Sequence, residues 1–170
     1  LQAKGQRGCS FHFYDERINL QAHSLIEFES SLRQALRRNE FELHYQPRVD
    51  LGTGRIVGLE GLIRWRHPER GLLGPGEFIP LAEETGLIVP MGYWVIARAC
   101  HDLARMQKRG MPPVHVAVNM SFRQFQDSRL LSTVRRVLER TGIDPHWLEF
   151  ELTETAVMQQ PEQVLMTMDG

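Results

Sequence analysis

The spacing of apolar positions changes character along the chain, and each change predicts a new element. From Leu25 through Phe28, Leu32, Ala35 and Leu36 the apolar residues fall three or four apart. Ser24 and Glu27 stand in the relation of a capping box, so the spacing predicts a helix from Ser24 to Asn39. From Phe41 the period becomes two: Phe41, Leu43 and Tyr45 alternate with Glu42, His44 and Gln46, giving a strand that Pro47 should interrupt. The turn Leu51-Gly52-Thr53-Gly54 then leads into residues 56–65, a nearly continuous apolar run expected of a strand covered on both faces.

Helices are predicted at residues 78–85, closed by Gly86, and 91–109, closed by Gly110. In the longer one Tyr93, Ile96, Ala97, Cys100 and Leu103 form one apolar stripe, which reads as core packing. A strand at 114–119 follows, then a second capping box (Ser121, Gln124), a helix at 130–140 stopped by Gly142, and a strand at 147–153. A last helix is expected near Pro161. Residues 1–23, with the basic Gly-containing stretch Lys4, Gly5, Arg7, Gly8 and a strand-like run at 10–14, read as a piece apart from residues 24–170. Repeated strand-then-helix units imply parallel strands joined by right-handed crossovers, hence a doubly wound sheet or a (β/α)8 barrel. Periodicity alone does not choose between them.

Composition narrows the function classes. With 42% apolar and 24% charged residues in 170, the chain has the make-up of a soluble globular unit. Twenty Lys+Arg against 21 Asp+Glu leave no electrostatic footprint for DNA or an anionic membrane. No apolar run approaches the roughly 20 residues of a membrane helix, so no direct membrane insertion is expected. Cys9 and Cys100 have no disulfide or zinc spacing; a reducing, cytoplasmic setting fits, with Cys100 a small apolar residue on a buried helix face.

Candidate chemistry starts from strand parity. Glu60, Leu62 and Arg64 are two apart and share one face, while Leu59, Gly61 and Ile63 share the other. Two opposite charges on an apolar strand point equally to an active site or to an internal ion pair. Asn119 and Glu151 sit near the ends of their strands, where α/β folds place catalytic groups. Together with Glu60 they offer hard oxygen donors of the kind that select Mg2+ or Mn2+ over zinc. The seven histidines show no His-Glu-x-x-His spacing, and there is no Gly-x-Ser-x-Gly, Walker loop or Gly-x-Gly-x-x-Gly. His101-Asp102 is the pairing used by HD-type phosphodiesterases, yet without a second His/Asp set a solvated helix face is expected there.

Five segments then resemble, in order, the signatures of EAL domains: Tyr45-Gln46-Pro47; Gly58-Leu59-Glu60-Gly61-Leu62-Ile63-Arg64-Trp65; Phe78-Ile79-Pro80-Leu81-Ala82-Glu83-Glu84; Val118-Asn119-Met120-Ser121; and Glu149-Phe150-Glu151-Leu152-Thr153-Glu154. Residues 1–23 resemble the tail of a GGDEF (diguanylate cyclase) domain, with a generic linker as the alternative. The resemblance implies a TIM-type (β/α)8 barrel, of which residues 24–170 would be about the first half. It implies metal-dependent hydrolysis of cyclic di-GMP to linear pGpG, with Glu60, Asn119 and Glu151 as metal ligands and Glu60 and Glu151 counted as catalytic. Arg64 matches the arginine that holds a substrate phosphate, Gln46 and Leu62 match positions lining the nucleotide, and Glu154 matches the anchor of a downstream acidic loop. The alternative is a degenerate module that binds cyclic di-GMP without cutting it. A two-metal site, a homodimer, a GGDEF neighbour in the same polypeptide and a cytoplasmic location, with any inner-membrane tether supplied by segments upstream, complete the expectation.

Two departures from the family pattern stand out. Gly61 replaces the usual Ala of the signature triplet, on the strand face away from the ligands. The family's Asp-Asp-Phe-Gly loop, Lys, and later Glu and Gln lie downstream of Glu154 and have no match before Gly170, so these 170 residues by themselves are expected to be inactive. A full barrel takes about 250 residues, and a half barrel exposes strand edges that favour pairing with another chain.

Overall fold

An apolar stripe on a helix gains stability only where a second element covers it, and pairing such stripes with a sheet builds the core here. The computed structural model describes residues 16–152, with side chains from residue 23 onward. In chain order the elements are α1 (Glu16–Arg38), β1 (Phe41–Val49), β2 (Ile56–His67), β3 (Gly71–Leu73), α2 (Pro75–Thr85), α3 (Ile88–Lys108), β4 (His115–Met120), α4 (Phe122–Phe125), α5 (Leu130–Thr141), a 3-10 turn at Pro145–Trp147, and β5 (Leu148–Leu152). The expected strand at 10–14, the helix near Pro161, and Cys9, Thr153 and Glu154 lie outside the described residues.

Helix α1 starts at Glu16, eight residues ahead of Ser24, so Ser24 and Glu27 sit within the helix and do not cap it. No Gly or Pro occurs between Glu16 and His23, and nothing there stops the helix from extending backwards. It ends at Asn39, whose φ of 55° is the left-handed turn that lets the chain reverse into β1.

Strand β1 continues past Pro47 to Val49, with a register shift between Arg48 and Val49. It is an edge strand of the described sheet, where a residue without an N–H is tolerated. The sheet runs β1-β2-β4-β5, with β3 paired to β2 off that path. Strands β2, β4 and β5 are parallel, as the strand-then-helix order implies, while β1 and β3 run antiparallel to β2.

The helices cover one face of this sheet. Trp65 is fully buried, with its ring 5.1 Å from Phe28, 6.0 Å from Phe41 and 5.8 Å from Phe78. Leu43, Val116 and Val118 pack against Val95, Ala99 and Leu103 of α3. Across α3, Ile96 and Cys100 meet Met120, Leu130 and Val137, and burial pushes the Cys100 thiol up to about 11. In β2, Gly61 and Trp65 are buried while Glu60, Leu62 and Arg64 are half-buried, so the strand is packed on one face only and the expectation of two covered faces does not hold.

Asp102 also departs from its reading as part of a solvated helix surface. It is buried, and accepts hydrogen bonds from the Tyr45 hydroxyl at 3.0 Å, Arg98 Nε at 2.8 Å and Arg105 Nη2 at 3.0 Å. Three donors offset the desolvation of one carboxylate, and the cluster pins β1 to α3. Burial, reinforced by the Asp102 carboxylate, pushes the Tyr45 hydroxyl far above its ordinary value. His101 beside it is exposed.

Candidate active site

Strand pairing fixes which side chains can meet. Gln46 lies opposite Glu60, His44 opposite Leu62 and Glu42 opposite Arg64. Glu60 pairs with Ala117 of β4, and Asn119, two residues on, pairs with Glu151 of β5. By the two-residue period, Gln46, Glu60, Leu62, Arg64, Asn119 and Glu151 all emerge on the face opposite the helices. That face is mostly polar, with Leu62 and Ala117 as its apolar members. Arg66 holds both oxygens of Glu42 at 3.0 Å, and His44 and Arg66 together keep the Glu42 carboxyl below its usual range.

Within this face the structure brings Glu60 and Asn119 into direct contact, with Asn119 Nδ2 donating to Glu60 Oε1 at 2.8 Å. Arg64 donates from Nη1 to the carbonyl of Ile63 at 2.9 Å and makes no ion pair with Glu60, which removes the internal-ion-pair reading of that strand. Glu151 is directly opposite Asn119 in register, but its carboxylate is taken elsewhere. Arg48 Nη1 donates to Glu151 Oε1 at 3.1 Å and to Glu149 Oε2 at 3.0 Å. Among the described residues no three His, Cys, Asp or Glu side chains cluster closely enough to hold a metal ion. The donors on hand are two carboxylates and an amide, a set suited to a hard divalent cation and to neither zinc nor copper.

Arg48 is the residue that sequence reasoning missed. Its signal was its place two residues after Gln46 on the same strand face, hidden by the expectation that Pro47 ended the strand. In a flat sheet, three strand spacings would set β1 and β5 about 14 Å apart. Arg48 and the two glutamates reach across that distance on the face the helices leave open, which in an α/β barrel is the inner, concave one. Gly58 lies opposite Arg48, and a Cβ there would meet Arg48 Cδ at 3.7 Å and the His115 carbonyl oxygen at 3.5 Å.

Beside Asn119, where the middle of β2 and the end of β4 meet α2 and α3, opens a cleft of about 680 Å3 lined by Leu62, Ile79, Met91, Glu83 and Phe122 among others. An apolar hollow rimmed by a few polar groups is the usual form of a small-molecule site. The segment after Asn119 is fixed by the predicted capping box: Ser121 Oγ accepts from the Gln124 amide, and Gln124 Oε1 accepts from the Ser121 amide at 2.9 Å. Gln124 is itself buried, and its amide occupies the space a side chain on Gly92 would need, 1.2 Å from an ideal Cβ. Gly92 thus lets α3 approach α4, the short helix that follows Asn119 and β4, a requirement visible only in three dimensions.

The family model for the EAL domain matches residues 29–169. The chain belongs to the EAL family. It is 38% identical over 167 residues to the bifunctional diguanylate cyclase/cyclic di-GMP phosphodiesterase MucR of Pseudomonas aeruginosa, covering 98% of this chain and 24% of that protein. It is 40% identical over 164 residues to the cyclic di-GMP phosphodiesterase NbdA of the same organism, covering 96% of this chain and 21% of NbdA. Among solved structures, the PaMucR phosphodiesterase in complex with c-di-GMP superposes with a TM-score of 0.79 at 40% identity, covering 86% of this chain and 58% of that one. The EAL fold is a TIM-like barrel, and the parallel β2-β4-β5 sheet with its helices matches it, while the chain spans under a quarter of these curated relatives. In the EAL signature, Gly61 faces the helices, as expected. A Cβ there would meet Val118 Cγ1 at 3.4 Å and the Ala117 carbonyl oxygen at 3.5 Å, so the family's usual Ala fits with little adjustment.

Proposed function

We propose that the chain is part of a phosphodiesterase that hydrolyses cyclic di-GMP to linear pGpG. The observation that carries this reading is the contact of Glu60 with Asn119 on a concave polar face, beside an apolar cleft large enough for a nucleotide. Glu60, Asn119 and Glu151 would hold Mg2+ or Mn2+. When bound, such ions supply Lewis-acid stabilisation of the phosphodiester and acidify a water.

The remaining work falls to the chain itself. Arg64 is aimed along the same face as Glu60 and offers a fixed fork of donors to a phosphate. Gln46 and Leu62 flank Glu60 and border the nucleotide. Glu154, outside the described residues, keeps its assignment by family resemblance as the anchor of a downstream acidic loop. Relatives named as cyclic di-GMP phosphodiesterases support the substrate, and the diguanylate cyclase half of MucR's name supports a GGDEF domain in the same polypeptide, with residues 1–23 as its tail or a linker. Among the described residues no helix is long and apolar enough to cross a membrane. A cytoplasmic setting and a homodimer complete the reading.

Hydrolysis by the complete EAL domain with Mg2+ or Mn2+, read by chromatography of the product, tests this. Glu60→Gln is expected to abolish turnover, and the 170-residue chain on its own is expected to show none. A wild-type domain that binds cyclic di-GMP in Ca2+ by calorimetry, yet yields no pGpG in Mg2+ or Mn2+, would make it a receptor instead.

A further inference from the structure

On the concave face Arg48 bridges two acids, one of them the proposed ligand Glu151. A single nitrogen of Arg48, Nη1, sits 3.0 Å from Glu149 Oε2 and 3.1 Å from Glu151 Oε1. The two glutamates are alternate residues of β5, and Arg48 reaches them from the far edge of the sheet across Gly58. The bond from Arg48 goes to Oε1 of Glu151, and Asn119 lies directly across from Glu151 in register.

We propose that Arg48 is a positioning residue for the cation site: it fixes Glu151 through Oε1 and leaves Oε2 facing Asn119 and Glu60 for a divalent ion. The inference rests on the cation reading of Glu60, Asn119 and Glu151. A glutamate on a strand has three rotatable bonds and, without a partner, samples many orientations, so a donor that fixes one oxygen lowers the cost of presenting the other. Hydrogen bonds that hold a ligating carboxylate commonly change metal affinity by about 10- to 100-fold. Glu149, bound to the same nitrogen, anchors the guanidinium from the other side and keeps it from sliding over Glu151.

The test is Mn2+ binding to the complete EAL domain by calorimetry, with no substrate present. Arg48→Met is expected to weaken Mn2+ binding by about 10-fold, with Arg48→Lys, which keeps the charge on a shorter stem, between the two. If Arg48→Met gives no soluble domain, Arg48→Gln takes its place under the same criterion. Unchanged or tighter binding in the Met or Gln variant overturns the proposal, because Arg48 would then be a spectator or a competitor for Glu151. A Lys variant no better than Met overturns it as well. Glu60→Gln serves as the reference: if it too binds Mn2+ like the wild type, the cation site itself fails and the role of Arg48 with it. If only the Arg48 variants bind normally, the site stands and the positioning role falls.

Discussion

On the helix-covered face of the sheet, Leu43, Trp65, Val116 and Val118 are buried and held by close packing. On the concave face Gln46, Arg48, Asn119 and Glu149 are exposed and Glu60, Arg64 and Glu151 are half-buried, and all of these but Gln46 make the hydrogen bonds and ion pairs described above. The difference teaches that one strand can serve two ends at once. Packing on one face supplies stability through removal of apolar surface from water, roughly 25 cal/mol per Å2. Exposed ion pairs on the other contribute typically under about 1 kcal/mol each. Stability and candidate chemistry are therefore separable residue by residue along β2, where Trp65 belongs to one account and Glu60 to the other.

The sharpest way to break this contrast is Trp65→Ala. Loss of a fully buried indole among three aromatic rings should cost about 3–5 kcal/mol, measured by urea denaturation; a cost below about 1 kcal/mol would show that the aromatic cluster is not the core it resembles. Alkaline titration comes next. Because burial raises the Cys100 thiol from 9.0 to about 11 in the folded protein, its contribution is complete below pH 9 and is lost as pH rises toward 11, on the order of 2–3 kcal/mol. Stability curves at pH 8 and 11 should show this loss, and Cys100→Ala should show a smaller one.

Asp102→Ala should cost about 1–3 kcal/mol, since it leaves the part-buried Tyr45 hydroxyl without its acceptor. Gly61→Ala should stabilise by about 0.4–1 kcal/mol through a less flexible unfolded chain, as the backbone there is an ordinary strand and the space nearly suffices. A destabilised Gly61→Ala protein would place the contact with Val118 above the entropic gain. Smallest of all, Glu60→Gln should shift stability by less than about 0.5 kcal/mol, seen as an unchanged thermal midpoint. A large shift would mean that the concave face also carries the fold.

The sequence made the local grammar plain. Gly86 and Gly142 close α2 and α5 with φ of 76° and 69°, and the Ser121–Gln124 box caps α4 as its spacing implies. Parity along β2 and β5 correctly sorted Glu60 and Glu151 from their apolar neighbours. What stayed hidden depends on contacts between residues far apart in the chain. The burial of Asp102 follows from Tyr45, 57 residues earlier, and the pairing of Arg48 with Glu149 spans 101 residues. Gly92 matters only because Gln124 folds over it. Pro47 misled because the rule against proline in strands applies to central strands, and edge position is a property of the sheet. The three-residue strand β3 is too short to show any period.

Helix α1 runs for 23 residues, about 35 Å at 1.5 Å per residue, and its C-terminal half is clamped by Phe28, Leu32 and Ala35. Such a rod has little torsional slack. One residue added between Glu16 and His23 would swing whatever precedes it through about 100°, and seven would return it nearly to its original heading. The angular phase of anything joined ahead of the helix is thus written in the count of residues leading to Phe28.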